Sequence, residues 1–253
     1  MKKYSGAIMV EIELNGERKV NFPDVQNLAG KKIQAINAVL LNGNSAYSGR
    51  ALATYNELYI SLKKKDGTTY IIDEMPLQQI QIDNNKGINH KIDEVLSIKD
   101  CFIDNPNFQT DCSVCLIVWY ELPEYTRETT VKPLYASFET KIRYQNYMRN
   151  KLPDNRTMYD SMIEEINIQV PEITPTTATG VTQSDLGSLY LTLNKGTFSI
   201  LEKIPLQIFY NNDWYKRLIF DNIVFDFDNS FIEVVGTNVA INKNVLITLK
   251  YHK

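Results

Sequence analysis

The feature that most narrows what this chain can fold into is an internal repeat. Phe22-Pro23-Asp24 returns as Leu152-Pro153-Asp154, 130 positions later, and Ile33, Ile36 and Asn37 return as Ile163, Ile166 and Asn167 at the same offset. Leu58-Tyr59-Ile60-Ser61-Leu62 returns as Leu189-Tyr190-Leu191-Thr192-Leu193 at offset 131, and Met75-Pro76-Leu77-Gln78 as Ile204-Pro205-Leu206-Gln207 at offset 129. Between those blocks the turn Lys63–Gly67 shortens to Asn194-Lys195-Gly196, which accounts for the change. Leu96–Asp104 is set against Leu218–Asp226, and Val114–Tyr120 against Val245–Tyr251, where the offset is again 131. One such match is chance; a series in the same order is a duplication. A period of about 130 residues is too long for a solenoid and is the size of a whole domain.

Within each copy the pattern is strand and turn. Short alternating or β-branched runs recur at Ala7–Leu14, Lys19–Phe22, Ile33–Leu41, Leu58–Lys63, Thr69–Asp73, Leu96–Asp104 and Val114–Glu121, cut by Gly, Asn, Asp and Pro. Lys65-Asp66-Gly67-Thr68 reads as a hairpin turn, because Asp-Gly supplies positive φ at little steric cost. Tyr144–Asp160 is the one stretch with room for a short helix. The expected fold is all-β: two tandem antiparallel sandwiches of the jelly-roll kind, residues 1–122 and 134–253, joined by a proline- and charge-rich linker at 123–133. The polar stretches Asn42–Asn56 and Pro171–Ser188 fall at equivalent places in the two copies and are expected to serve as outer or lateral contacts.

Composition excludes several classes. Lys+Arg 27 against Asp+Glu 30 gives a net charge of −3, which argues against a generic affinity for nucleic acid or anionic lipid. No apolar run reaches the length of a membrane helix, and the stretch after Lys2 and Lys3 is too short for a signal-peptide core. Three cysteines, Cys101, Cys112 and Cys115, are too few for a disulfide scaffold and fit synthesis in a reducing cytoplasm.

Candidate chemistry is sparse. Cys112-x-x-Cys115 has the spacing of a redox or zinc pair, but it enters an apolar strand, where that spacing aims the side chains to opposite faces. Both are read as structural thiols. Asp221, Asp226 and Asp228 with Asn229 resemble half of a calcium loop that lacks its glycine and distal glutamate. The alignment sets Asp226 against Asp104, which favours a shared turn role. His90 is read as a loop histidine and His252 is penultimate; no Ser or Cys is placed to use either. The basic clusters are Lys63-Lys64-Lys65 at a hairpin tip and Lys2-Lys3. Trp119, Tyr120 and Tyr251 lie in strand candidates and are read as core or packing residues, while aromatic side chains on loops could take a sugar or a protein neighbour. Trp214 is the second tryptophan. No catalytic residue, cofactor or metal ligand is assigned.

Two similar sandwiches in one short acidic chain resemble the double jelly-roll major capsid proteins of tailless icosahedral DNA phages and viruses. The resemblance rests on architecture and on the repeat, and it spans essentially the whole chain. It implies a structural virion protein, made in the host cytoplasm, that forms homotrimers presenting six similar lobes in an icosahedral shell. It also implies partners among other virion proteins, an internal membrane or, through Lys2 and Lys3, the genome, and no small-molecule substrate. Such capsid proteins are commonly longer, with tower loops for which this chain has little room. Two other classes stay open: another virion part (head fibre, decoration or tail protein) or a carbohydrate-binding tandem-sandwich adhesin, and an enzyme of the two-jelly-roll kind using Asp/Glu pairs.

Overall fold

The computed structural model describes residues 3–39, 47–82, 90–153, 158–169, 181, 183–210, 219–236 and 241–253. The architecture is all-β; among the described residues no helix exceeds the six residues of the 3-10 segment Gln183–Ser188. The chain falls into two compact units, Met9–Glu121 and a second made of Met1–Ile8 with Leu122–Lys253. The opening residues, which a division at 122 places with the first half, are thus grouped with the second.

The strands, in chain order, are β1 (Lys3–Tyr4), β2 (Gly6–Asn15), β3 (Lys19–Asn21), β4 (Lys32–Val39), β5 (Ala51–Leu52), β6 (Tyr59–Lys63), β7 (Tyr70–Pro76), β8 (Gln81–Ile82), β9 (His90–Val95), β10 (Phe102–Asp104) and β11 (Thr110–Tyr120). They continue as β12 (Leu134–Lys141), β13 (Arg149–Lys151), β14 (Met162–Gln169), β15 (Leu189–Lys195), β16 (Phe198–Pro205), β17 (Ile219–Val224), β18 (Asp226–Val234) and β19 (Asn244–His252).

In the first unit one sheet runs β3-β10-β6-β7; in another β2 pairs with β11, β11 with β4, and β4 with β9. In the second unit the orders are β13-β18-β15-β16 and β12-β19-β14-β17. Take β2, β3, β4, β6, β7, β9, β10 and β11 as strands one to eight of the first unit, and β12 to β19 as one to eight of the second. Both units then pair as two-seven-four-five and one-eight-three-six.

Local irregularities recur at the same places. Glu74 and Lys203 both have positive φ (47° and 55°), each one residue before the Met75-Pro76 or Ile204-Pro205 of the repeat. The Glu74 N–H donates to Ser61 Oγ (3.0 Å) and the Lys203 N–H to Thr192 Oγ1 (3.2 Å). A bulge takes an amide out of the ladder, and in both units a hydroxyl on the neighbouring strand receives it. Pro76 lies opposite Tyr59 and Pro205 opposite Tyr190, each at the end of its strand. A second pair of positive φ values, at Asp93 and Asn222, marks the bulges opposite Ile33/Ala35 and Ile163/Glu165.

Two expectations are corrected. Ile103 pairs with Ile60, and Ile232 pairs with Leu191, the repeat partner of Ile60. Register therefore sets Phe102–Asp104 against Phe231–Glu233, and Asp104 against Glu233 rather than Asp226. The sequence match slipped because Leu96–Asp104 is not one strand: the 3-10 turn Ile98–Asp100 interrupts it. Tyr144–Asp160 holds β13, turns and a 3-10 residue at Met158, with no α-helix among its described residues. Asn146 and Tyr147 take φ of 55° and 66°, which no α-helix tolerates, and the Met148 N–H closes the turn on Gln145 O.

Alternation builds each core. Along β19, Val245, Ile247, Leu249 and Tyr251 are buried while Leu246, Thr248 and Lys250 are half-exposed. The void between Phe138, Ile166, Leu191, Phe225 and Ile247 measures about 10 Å³, too small for a ligand. The linker is attached rather than free. Leu122 is buried and its N–H donates to Ser5 Oγ (2.7 Å), Tyr125 stacks on Phe198 at 5.3 Å, and Thr126 bridges to Ile223.

Candidate functional site

The strongest built feature grows from Lys141-Ile-Arg143-Tyr-Gln-Asn-Tyr-Met-Arg149-Asn-Lys151, with four cations and no carboxylate. Lys141 ends β12, and Arg149 and Lys151 are first and last in β13, so alternation points both outward and Asn150 inward. Asn150 is 3% exposed, and its side-chain amide organises the intervening loop. Its Oδ1 accepts the N–H groups of Arg143 (2.7 Å) and Tyr144 (2.9 Å), while its Nδ2 donates to Tyr144 O (2.8 Å) and Ile232 O (3.3 Å). One buried amide thus fixes the backbone that carries Arg143 and Tyr144.

The result is a shallow cleft of about 480 Å³ whose walls include Lys141, Arg143, Tyr144, Arg149 and Lys151. Arg149 lies over the Phe231 ring at 4.3 Å and 3.6 Å from Glu233. No carboxylate among the described residues pairs with Lys141, Arg143 or Lys151. Glu139 also lines the cleft, accepting from Asn244 Nδ2 at 3.1 Å. The balance is positive in a chain whose net charge is negative. Such a site can hold an anion through several donors at once. Sequence reading missed it because the four cations are spaced singly; their shared lack of acidic neighbours was the available signal.

The residues singled out from sequence do not converge. Cys101, Cys112 and Cys115 are free, buried thiols. Burial pushes the Cys101 thiol up to about 11, and raises Cys112 and Cys115 as well, so thiolate chemistry is disfavoured. Asp226 accepts from Lys195 Nζ (2.6 Å) and Gly196 N (2.7 Å) at its hairpin, whereas Asp228 faces Tyr159 OH. Asp221 is exposed on β17. Among the described residues no three His, Cys, Asp or Glu gather as a metal site. His90 opens β9 opposite Ile36 rather than lying in a loop. Of the lysine cluster, Lys63 lies over Tyr70 (4.9 Å) and Lys64 pairs with Glu94 (3.1 Å). Trp119 is fully buried, its Nε1 donating to Asn37 Oδ1 (3.0 Å), and Tyr120 and Tyr251 are buried too. Lys2, Trp214 and the segments 42–46 and 171–180 lie outside the described residues.

A second polar cluster holds the linker. His252 is 6% exposed, with Nδ1 2.8 Å from Val131 O and Nε2 3.0 Å from Glu164 Oε2; Lys250 Nζ donates to Glu164 Oε1 (2.8 Å). Burial pushes the Glu164 carboxyl up, but hydrogen bonds from Lys250 and His252 together outweigh it and hold it below the usual carboxylate range. A depressed folded pKa stabilises above the ordinary value of 4.5, and that contribution is lost as pH falls through the folded value. Urea midpoints measured downward from neutral pH should therefore fall below about pH 4.5. Glu164→Gln should start lower and lose less over the same range. Parallel curves for the two proteins would remove Glu164 from the acid transition.

Comparison with protein-family models, with curated proteins and with solved structures finds no match. Among the described residues no helix is long and apolar enough to cross a membrane.

Proposed function

We propose that the chain is a structural coat subunit: two jelly rolls, born of a tandem duplication, that assemble as a trimer into the pseudo-sixfold block of an icosahedral virion shell. The supporting observation is the shared strand order, one-eight-three-six in one sheet and two-seven-four-five in the other, with the same bulges in both units. That order of pairing is the one expected of the two Greek keys of a jelly roll, an architecture used by viral coats and lectins, and so supports this reading. Bulges received by Ser61 and by Thr192 at the same repeat position favour common descent over convergence. Two similar lobes per chain give three chains six lobes, and heterologous contacts between unlike lobes close such a ring. That use of both copies is what favours a coat over a monomeric binding module.

Light scattering on the purified protein at micromolar concentration tests this. A mass of three 29.1 kDa chains is expected, with ring-like six-lobed blocks under negative stain. Interfaces should bury at least about 1,200 Å² each. Monomers at all concentrations, with glycan binding in their place, would establish the adhesin reading.

A further inference from the structure

The cleft beside Asn150 has a chemistry that the coat reading does not use. Its cations are individually exposed, and Asn150 fixes the backbone at Arg143 and Tyr144, so binding has to order the side chains but not that stretch of main chain. Lys141, Arg143 and Lys151 carry no partner charge among the described residues, and Arg149 adds a guanidinium positioned on Phe231. Tyr144, 49% exposed, lines the same cleft, and Tyr147 and Met148 at the adjacent turn are exposed as well. A positive groove with an aromatic platform is how proteins hold single-stranded nucleic acid: cations track the phosphates and rings stack on bases. The concave shape favours a strand lying in the cleft over a flat lipid surface.

We propose that this cleft is a single-stranded nucleic-acid contact, with Lys141, Arg143 and Lys151 on the phosphodiester backbone and Tyr144 as a stacking surface. It is preferred to Lys63-Lys64-Lys65 as the place for such contact, since two of those hairpin lysines are already engaged.

The test is fluorescence anisotropy of a labelled oligothymidylate of about ten nucleotides with the full chain. Three phosphate contacts predict a slope of log affinity on log salt of about −2 for a single strand. The triple variant Lys141→Ala, Arg143→Ala, Lys151→Ala should bind at least about tenfold more weakly with a flattened slope. Its melting curve should be unchanged, because among the described residues no carboxylate pairs with these side chains. Tyr144→Ala should weaken binding severalfold at an unchanged slope. Alanines at Lys63, Lys64 and Lys65 should leave binding intact. The proposal is overturned if the native chain does not bind at low salt, if the triple variant binds equally, or if only the hairpin variant loses binding. Capture of anionic phosphatidylserine vesicles without oligonucleotide binding also overturns it. Trimer formation is read separately by light scattering, so failure here leaves the coat reading standing.

Discussion

A chain beginning at Met9 is expected to lose on the order of 4–6 kcal/mol of stability, from the burial given up by Tyr4, Ala7 and Ile8. These side chains are 6%, 0% and 5% exposed. β1 pairs in parallel with β17 through Lys3–Ile219 and Tyr4–Phe220, and Ala7 and Ile8 pair in parallel with Leu201 and Glu202 of β16. One short segment therefore covers an edge strand from each sheet of the second unit. Removing it also takes the Ser5 hydroxyl that receives the buried Leu122 N–H. At about 2–4 °C per kcal/mol for a chain of this size, the melting temperature should fall by roughly 10–20 °C. The bared edges should also make association concentration-dependent. A synthetic peptide of residues 1–8 should restore part of the loss by strand addition. Circular dichroism melts and light scattering read both effects; a melting point within about 2 °C of the full chain would show that the segment only rests on the sheets.

Asn150→Ala should cost about 3 kcal/mol, because it strips partners from two backbone N–H groups and two carbonyls at a buried position. The Arg143 and Tyr144 amides lose their acceptor outright. Hydrogen exchange at those two amides should accelerate well ahead of the strands β15 and β19. Oligonucleotide binding should weaken too, although every cation of the cleft is still present. Unchanged exchange at Arg143 and Tyr144 would mean that the loop is held by its turn alone, through the Tyr147 N–H to Val234 O and the Asn146 N–H to Gly236 O.

The hairpin at Asp66-Gly67 shows how much a local signal can carry. Gly67 has φ +71°, and a Cβ there would meet Asp100 Oδ2 at 2.7 Å; Asp66 Oδ1 accepts the N–H groups of Thr68 and Thr69. Both requirements are written in four adjacent letters. The slip between Asp104 and Asp226 shows the opposite. A run of apolar residues ending in Asp fits several registers equally, and only the ladder partners of Ile103 and Ile232 choose among them.

By itself the sequence determined the all-β class, most of the strands and the turn chemistry, because alternation and Asp-Gly act over two to four neighbouring residues. The ordered repeat likewise made two similar units an expectation before any pairing was known. What only the tertiary structure decided are contacts between residues far apart in the chain. The parallel addition of residues 3–8 to β17 and β16 leaves no periodic trace, since an edge strand asks only for a free backbone. The cleft was hidden for a related reason. Lys141, Arg143, Arg149 and Lys151 are unremarkable one at a time, and it is a buried amide at Asn150, closing a turn of positive φ, that folds them onto one surface.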